Sequence, residues 1–166
     1  MVEFTIDTMQ ATDWEKVRAI YVEGIATGNA TFETDAPDWD SWNKAHLAFG
    51  RLVARDNGLV IGWAALGAVS SRCVYAGVAE VSVYVAESTR GKGVGRALLV
   101  RLIEESERAG VWTLQAGILA ENIASRELHK RCGFREVGRR ERLGKLKGVW
   151  RDVVLLERRS ATIGTD

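Results

Sequence analysis

The chain has 166 residues, 46% of them apolar and 27% charged, with 23 Lys and Arg against 22 Asp and Glu for a formal net charge of +1. That length suits one domain with a sizeable core, and the near-neutral balance speaks against the basic excess of a nucleic-acid-binding domain. Cys73 and Cys132 are too few for a disulfide framework, and no Cys/His spacing suggests zinc. No apolar run approaches the roughly 18 residues of a membrane span, and the N-terminus lacks the regions of a signal peptide. The expectation is therefore a cytoplasmic protein with no metal, membrane or nucleic-acid partner.

In chain order, residues 3–7 read as a strand, and Thr12-Asp13-Trp14-Glu15 fits the capping box of a helix start. Val17, Ile20, Tyr21, Gly24 and Ile25 share one helical face, and Gly28 is placed to stop that helix. An irregular stretch over 29–36 leads to Pro37 and a second helix over 40–49. Two β-like runs, 51–55 and 59–68, flank Asn57-Gly58, a hairpin signal because both residues tolerate positive φ. A strand over 78–85 enters Arg90-Gly91-Lys92-Gly93-Val94-Gly95, after which Val94, Ala97, Leu98 and Leu102 form the apolar stripe of a helix ended by Gly110. A strand over 112–118, a helix over 122–131 and a hairpin of 134–143 with 149–158 around a loop at 144–148 follow. Residues 160–166 read as a frayed tail. No repeat or linker interrupts the pattern, so one α/β domain with a mixed sheet spans 1–166. Basic residues crowd 126–159, which fits a solvated strand face or, alternatively, an anionic-ligand or RNA face.

A strand–glycine loop–helix junction makes an anion site, because unpaired amides at the helix start point outward and the helix dipole adds positive charge. Arg90 and Lys92 add to that charge, so a diphosphate fits better than a single carboxylate. A P-loop requires Lys-Ser/Thr after its last glycine, and here Gly95 is followed by Arg96-Ala97. The dinucleotide pattern fails as well, since its third small residue falls on Leu98 or Arg96.

Arg90-Gly91-Lys92-Gly93-Val94-Gly95 resembles the Arg/Gln-x-x-Gly-x-Gly/Ala signature of the GNAT superfamily of acyl-CoA-dependent N-acetyltransferases. Asn122-Ile123-Ala124-Ser125 and Leu128-His129-Lys130-Arg131-Cys132-Gly133-Phe134 resemble its downstream blocks in the right register. Within the superfamily the chain is similar to the phosphinothricin/methionine-sulfoximine acetyltransferase group, through residues 30–34, 72–75, 80–85 and 147–152. The resemblance implies a mixed, mostly antiparallel sheet of about seven strands, splayed between the fourth and fifth and flanked by about four helices. It also implies acetyl-CoA as donor, a small amino-acid-like acceptor and a homodimer.

Direct acyl transfer needs a base for the acceptor's ammonium. Glu80 lies in an otherwise apolar strand, where burial would raise a carboxylate's affinity for protons, and it matches the group's base. An edge-strand glutamate facing water is the plainer reading. The resemblance assigns Val83, Tyr84 and Val85 to oxyanion and pantetheine contacts, Asn122 and Ser125 to the cofactor arm, and residues 90–96, including Val94 and Arg96, to the diphosphate. Asn122 serves equally as a helix N-cap. His129 matches the group's general acid, or else orients the acceptor; His46 has no such context. Arg72 suits capture of an α-carboxylate, with Tyr75, Ser82, Phe32 and Glu33 around the acceptor. Cys73 stands where many relatives have proline, which alters that loop. Trp39 and Trp42 are core, interface or pocket residues. Polyamine, aminoglycoside or peptide acceptors, and a non-catalytic CoA-binding module, are the competing readings.

Overall fold

The computed structural model describes residues 3–166. In chain order the elements are β1 (Thr5–Thr8), α1 (Trp14–Ala26), α2 (Trp39–Ala45), β2 (Leu52–Asp56), β3 (Leu59–Ala68), β4 (Val78–Val85), α3 (Val94–Arg108), β5 (Thr113–Leu119), α4 (Ile123–Arg131), β6 (Arg135–Leu146) and β7 (Val149–Arg159). They build one seven-stranded sheet in the order β1-β2-β3-β4-β5-β7-β6. Every neighbouring pair is antiparallel except β4 and β5, which run parallel. This is the mixed, mostly antiparallel sheet with four helices that the motifs imply.

The central strand β3 shows why the sheet holds. Ile61, Ala64 and Leu66 pack toward α3 with Leu98, Leu99 and Leu102, while Val60, Trp63 and Ala65 pack toward α1 and α2 with Val17, Ile20 and Trp42. Being covered on both faces, β3 reads as a nearly continuous apolar run. The α1 helix approaches β4 at Gly24, where a Cβ would sit 2.6 Å from the Tyr84 ring.

Four local expectations are corrected. The capping box before α1 is formed by Gln10 and Asp13, not by Thr12 and Glu15: Gln10 N–H donates to Asp13 Oδ2 at 2.8 Å, and Arg55 grips both Asp13 oxygens. Helix α2 ends at Ala45, well short of residue 49, because His46 is extended and Arg51 donates to the carbonyls of Asn43, His46 and Leu47. The last hairpin turns at Lys147-Gly148, both at positive φ, so β6 continues through the stretch expected as loop. The C-terminal tail is tied down, since Ser160 Oγ donates to Glu107 at 2.7 Å and Arg159 donates to the carbonyls of Ile163 and Gly164.

Candidate active site

Parallel pairing between β4 and β5 covers only Val78, Ala79 and Glu80 against Thr113, Leu114 and Gln115. Beyond Glu80 the strands part. The wedge between them opens a cleft of about 1520 Å3 lined from both strands, the α1–α2 loop, the start of α3, and α4.

The β3–β4 register gives the direction of each backbone group. Ala86 N–H donates to the Ile61 carbonyl at 2.8 Å, and the register runs unbroken from that pair to Ala68 and Ala79. Alternation in an antiparallel ladder therefore commits Tyr84 and Ser82 to β3 and turns the amides and carbonyls of Val81, Val83 and Val85 toward the gap. Val81 N–H closes the last parallel rung on the Gln115 carbonyl, and Arg90 Nε takes the Val85 carbonyl at 3.2 Å, leaving the Val81 carbonyl and the Val83 amide and carbonyl as the free edge. Tyr84, expected beside Val83 and Val85 as a main-chain cofactor contact, spends its backbone on β3. Its ring stacks on Trp63 at 4.8 Å and meets Tyr21 edge-on at 4.9 Å. Burial, together with the neighbouring Tyr21 hydroxyl, pushes the Tyr84 pKa up, so the phenol stays protonated.

Gly91 and Gly93 both adopt positive φ with open space where a Cβ would be, and Gly93 caps α3 in the left-handed region. Their glycine identity answers to conformation, whereas a Cβ at Gly95 would sit 3.3 Å from Leu128, so that glycine answers to packing. The first amide of α3 to bond back is Ala97, to the Gly93 carbonyl, so the Val94, Gly95 and Arg96 amides are the helix's orphan donors. Arg90 and Arg96 line the cleft beside them. Val94 contributes its amide only, its side chain being buried in the core. Lys92 turns back to the Ser88 carbonyl at 2.9 Å instead of facing the cleft.

Glu80 is exposed, which corrects the expectation of a buried carboxylate. It is also no edge residue: β4 is central, and Glu80 meets solvent because the sheet opens at its rung. Gln115 Nε2 donates to Glu80 Oε2 at 3.0 Å, leaving Oε1 free. Sequence reasoning passed over Gln115, although a polar residue between Leu114 and Ala116 was the available signal.

His129 is 4% exposed and rests edge-on against Phe134. Its Nδ1 lies 2.7 Å from the Ser125 carbonyl, an acceptor, so Nδ1 carries the proton and Nε2 is a bare lone pair, buried without a partner. Burial pushes the imidazole pKa down, against the opposing pull of the Ser125 bond. In this state His129 has no proton at Nε2 to give, at odds with the general-acid assignment. Asn122 caps α4 through Ser125 N–H at 3.2 Å and donates from Nδ2 to the Asn29 carbonyl at 3.1 Å.

That second bond belongs to a strap that the sequence did not reveal. Arg151 on β7 donates to the Gly28 carbonyl at 2.7 Å, Asn29 Oδ1 at 2.6 Å and Glu121 Oε2 at 3.0 Å. Together with Asn122 it ties the loop carrying Phe32 and Glu33 across the open end of the wedge. Phe32 packs on Leu119, Leu146 and Val153, and Phe32, Glu33 and Ser82 all line the cleft. Arg72 and Tyr75 do not line it: they lie exposed, the guanidinium 5.5 Å from the Tyr75 ring. The aromatic wall on the α2 side is made by Trp42 and Trp63, with His46 stacked on Trp42 at 4.1 Å.

The sequence profile of the acetyltransferase (GNAT) family matches residues 13–134. The chain belongs to the GNAT acetyltransferase family. It is 33% identical over 158 residues to the L-methionine sulfoximine/L-methionine sulfone acetyltransferase of Salmonella typhimurium, covering 92% of each chain. It is 35% identical over 162 residues to the phosphinothricin N-acetyltransferase of Alcaligenes faecalis, covering 93% of this chain and 81% of that one. Its fold matches the crystal structure of a GNAT superfamily phosphinothricin acetyltransferase from Sinorhizobium meliloti in complex with acetyl-CoA at a TM-score of 0.85, with 27% identity over 100% of this chain and 97% of the other. The GNAT donor is acetyl-CoA, and this cleft fits it. Orphan amides and two arginines suit the diphosphate, the room above Gly91 and Gly93 admits it, and the free β4 edge suits an extended amide-bearing arm.

Proposed function

We propose that the protein transfers an acetyl group from acetyl-CoA to the α-amine of a small amino-acid-like acceptor of the methionine sulfone, methionine sulfoximine or phosphinothricin type. The observation that carries this reading is Glu80 at the last paired rung of β4 and β5, between the free β4 edge and the aromatic wall. Acetyl-CoA, when bound, would supply the thioester carbonyl that the amine attacks, its C–S bond breaking to release coenzyme A as a thiolate that solvent can protonate. Glu80, anchored through Oε2 by Gln115, takes through Oε1 the proton that the ammonium must lose first. The Val83 amide on the open edge is the donor for a carbonyl oxygen in the gap. Val94, Gly95 and Arg96 amides with Arg90 hold the diphosphate, while Asn122 and Ser125 border the arm. His129 orients the start of α4 through Ser125 and does not donate a proton.

The reading extends to one catalytic domain over the chain, acting as a homodimer in the cytoplasm. Exposed Val74, Val149 and Trp150 support an interface, and the free thiols of Cys73 and Cys132 support a reducing compartment. Among the described residues no helix is long and apolar enough to cross a membrane. A mass-spectrometric screen of amino acids, their sulfone, sulfoximine and phosphinate analogues, polyamines and aminoglycosides tests the acceptor. Acetylation confined to amino-acid-like compounds is expected; acetylation of polyamines or aminoglycosides alone would overturn it.

A further inference from the structure

The geometry points to Arg140, on a bulge of β6, as the side chain that captures the acceptor's carboxylate and so selects amino acids over plain amines. This inference rests on the acetyltransferase reading above and names the recognition element that the exposed Arg72 does not supply.

The register places Arg140 opposite Val153 and Gly144 opposite Arg151, so Glu141, Arg142 and Leu143 stand in β6 where β7 has Asp152 alone. The bulge is held firmly. Asp152 Oδ1 accepts from the Arg142 amide at 2.8 Å, Oδ2 accepts from Arg139 Nε at 2.8 Å, and Arg142 takes a φ of +48°. Bulges of this kind re-aim side chains beside active sites. Here the result is that Arg140 and Leu143 line the cleft, and that Gly144 lies close enough to Phe32 for a Cβ there to sit 3.1 Å from the ring. Val153, the cross-strand partner of Arg140, is buried against Leu119, Leu146 and Phe32. Cross-strand partners share a face, so Arg140 stands on the face of the sheet where the Phe32 loop lies.

Charge completes the case. Arg139 and Arg151 in the same hairpin are ion-paired with Asp152 and Glu121, while among the described residues no carboxylate lies within ion-pair distance of Arg140. The other arginines lining the cleft, Arg90, Arg96 and Arg131, belong to the α3 and α4 end. The remaining lining near the acceptor is acidic, with Glu33, Asp35 and Glu80. One unpaired guanidinium among carboxylates complements a zwitterion: ammonium toward Glu80, carboxylate toward Arg140, which can hold it by two parallel hydrogen bonds. The same cation disfavours a polyamine's second charge.

The test compares L-methionine sulfone with its carboxamide as acceptors for the wild type, Arg140→Gln and Arg72→Gln at saturating acetyl-CoA. Arg140→Gln is expected to raise the acceptor KM for the acid by about 10-fold or more, the worth of a charged hydrogen-bonded contact. The carboxamide KM and the acetyl-CoA KM should stay unchanged, Arg140→Lys should recover part of the loss, and Arg72→Gln should behave as wild type. A general fault in folding would weaken both acceptors alike, so the acid-to-amide ratio reports recognition. An unaltered ratio in Arg140→Gln, or a ratio lost only in Arg72→Gln, overturns the assignment. A wild type that acetylates both compounds equally well also overturns it while leaving the acetyltransferase reading intact. A wild type that acetylates neither defeats that reading and the carboxylate subsite with it.

Discussion

Glu80 and His129 show how one rung of a sheet or one turn of a helix decides what a titratable side chain can do. Glu80 keeps a free, solvent-reaching oxygen because pairing stops at its rung. His129, on α4, has one nitrogen committed to Ser125 and the other sealed. This has a consequence for stability. Burial holds the folded pKa of His129 below the ordinary 6.5, and burial together with the charge of Arg51 does the same for His46. Below pH 6.5 the unfolded chain then binds protons that the folded chain does not, so stability present at higher pH is lost as pH falls through that value. Thermal melts at about pH 7.5 and about pH 5.5 should show a drop in Tm on acidification that is smaller in His129→Gln. An equal drop in both proteins would show that His129 does not carry it.

The elements matter here through their irregularities. Regular period-2 and period-3.6 patterns made the strands, helices and glycine junction readable from the chain, because each depends on near neighbours. The β6 bulge and the Arg151 strap were not readable, since alternation cannot reveal three residues facing one, and Arg151 meets Gly28 across 123 positions. The strap makes its own prediction. Arg151→Ala removes the bonds to Gly28, Asn29 and Glu121, which frees the loop bearing Phe32 and Glu33. The acceptor KM should rise about 10-fold, in line with loss of a charged hydrogen-bonding group, with a smaller change in kcat. Added guanidinium ion should restore part of the affinity. An unchanged acceptor KM would show that the loop keeps its place without the strap.

At the scale of the whole molecule, the functional geometry comes from one event, the parting of β4 and β5. The family motifs announced the fold, and the glycine motif stands at the start of α3, where Gly91, Gly93 and Gly95 line the wedge. The exposure of Glu80 escaped sequence reasoning because an apolar strand flanked by apolar strands reads as buried, and the parting of its neighbour leaves no local mark. Arg72 was an attractive anion ligand by residue type, yet its loop carries it away from the cleft. The central claim is that the open end of this wedge brings acceptor, thioester and Glu80 together. The most direct measurement is thiol release from acetyl-CoA with methionine sulfone, for wild type and Glu80→Gln, alongside acetyl-CoA binding by calorimetry. Release should require the acceptor and fall on the order of 100-fold or more in Glu80→Gln with acetyl-CoA affinity unchanged. Full activity in Glu80→Gln, or release that ignores the acceptor, would contradict the account.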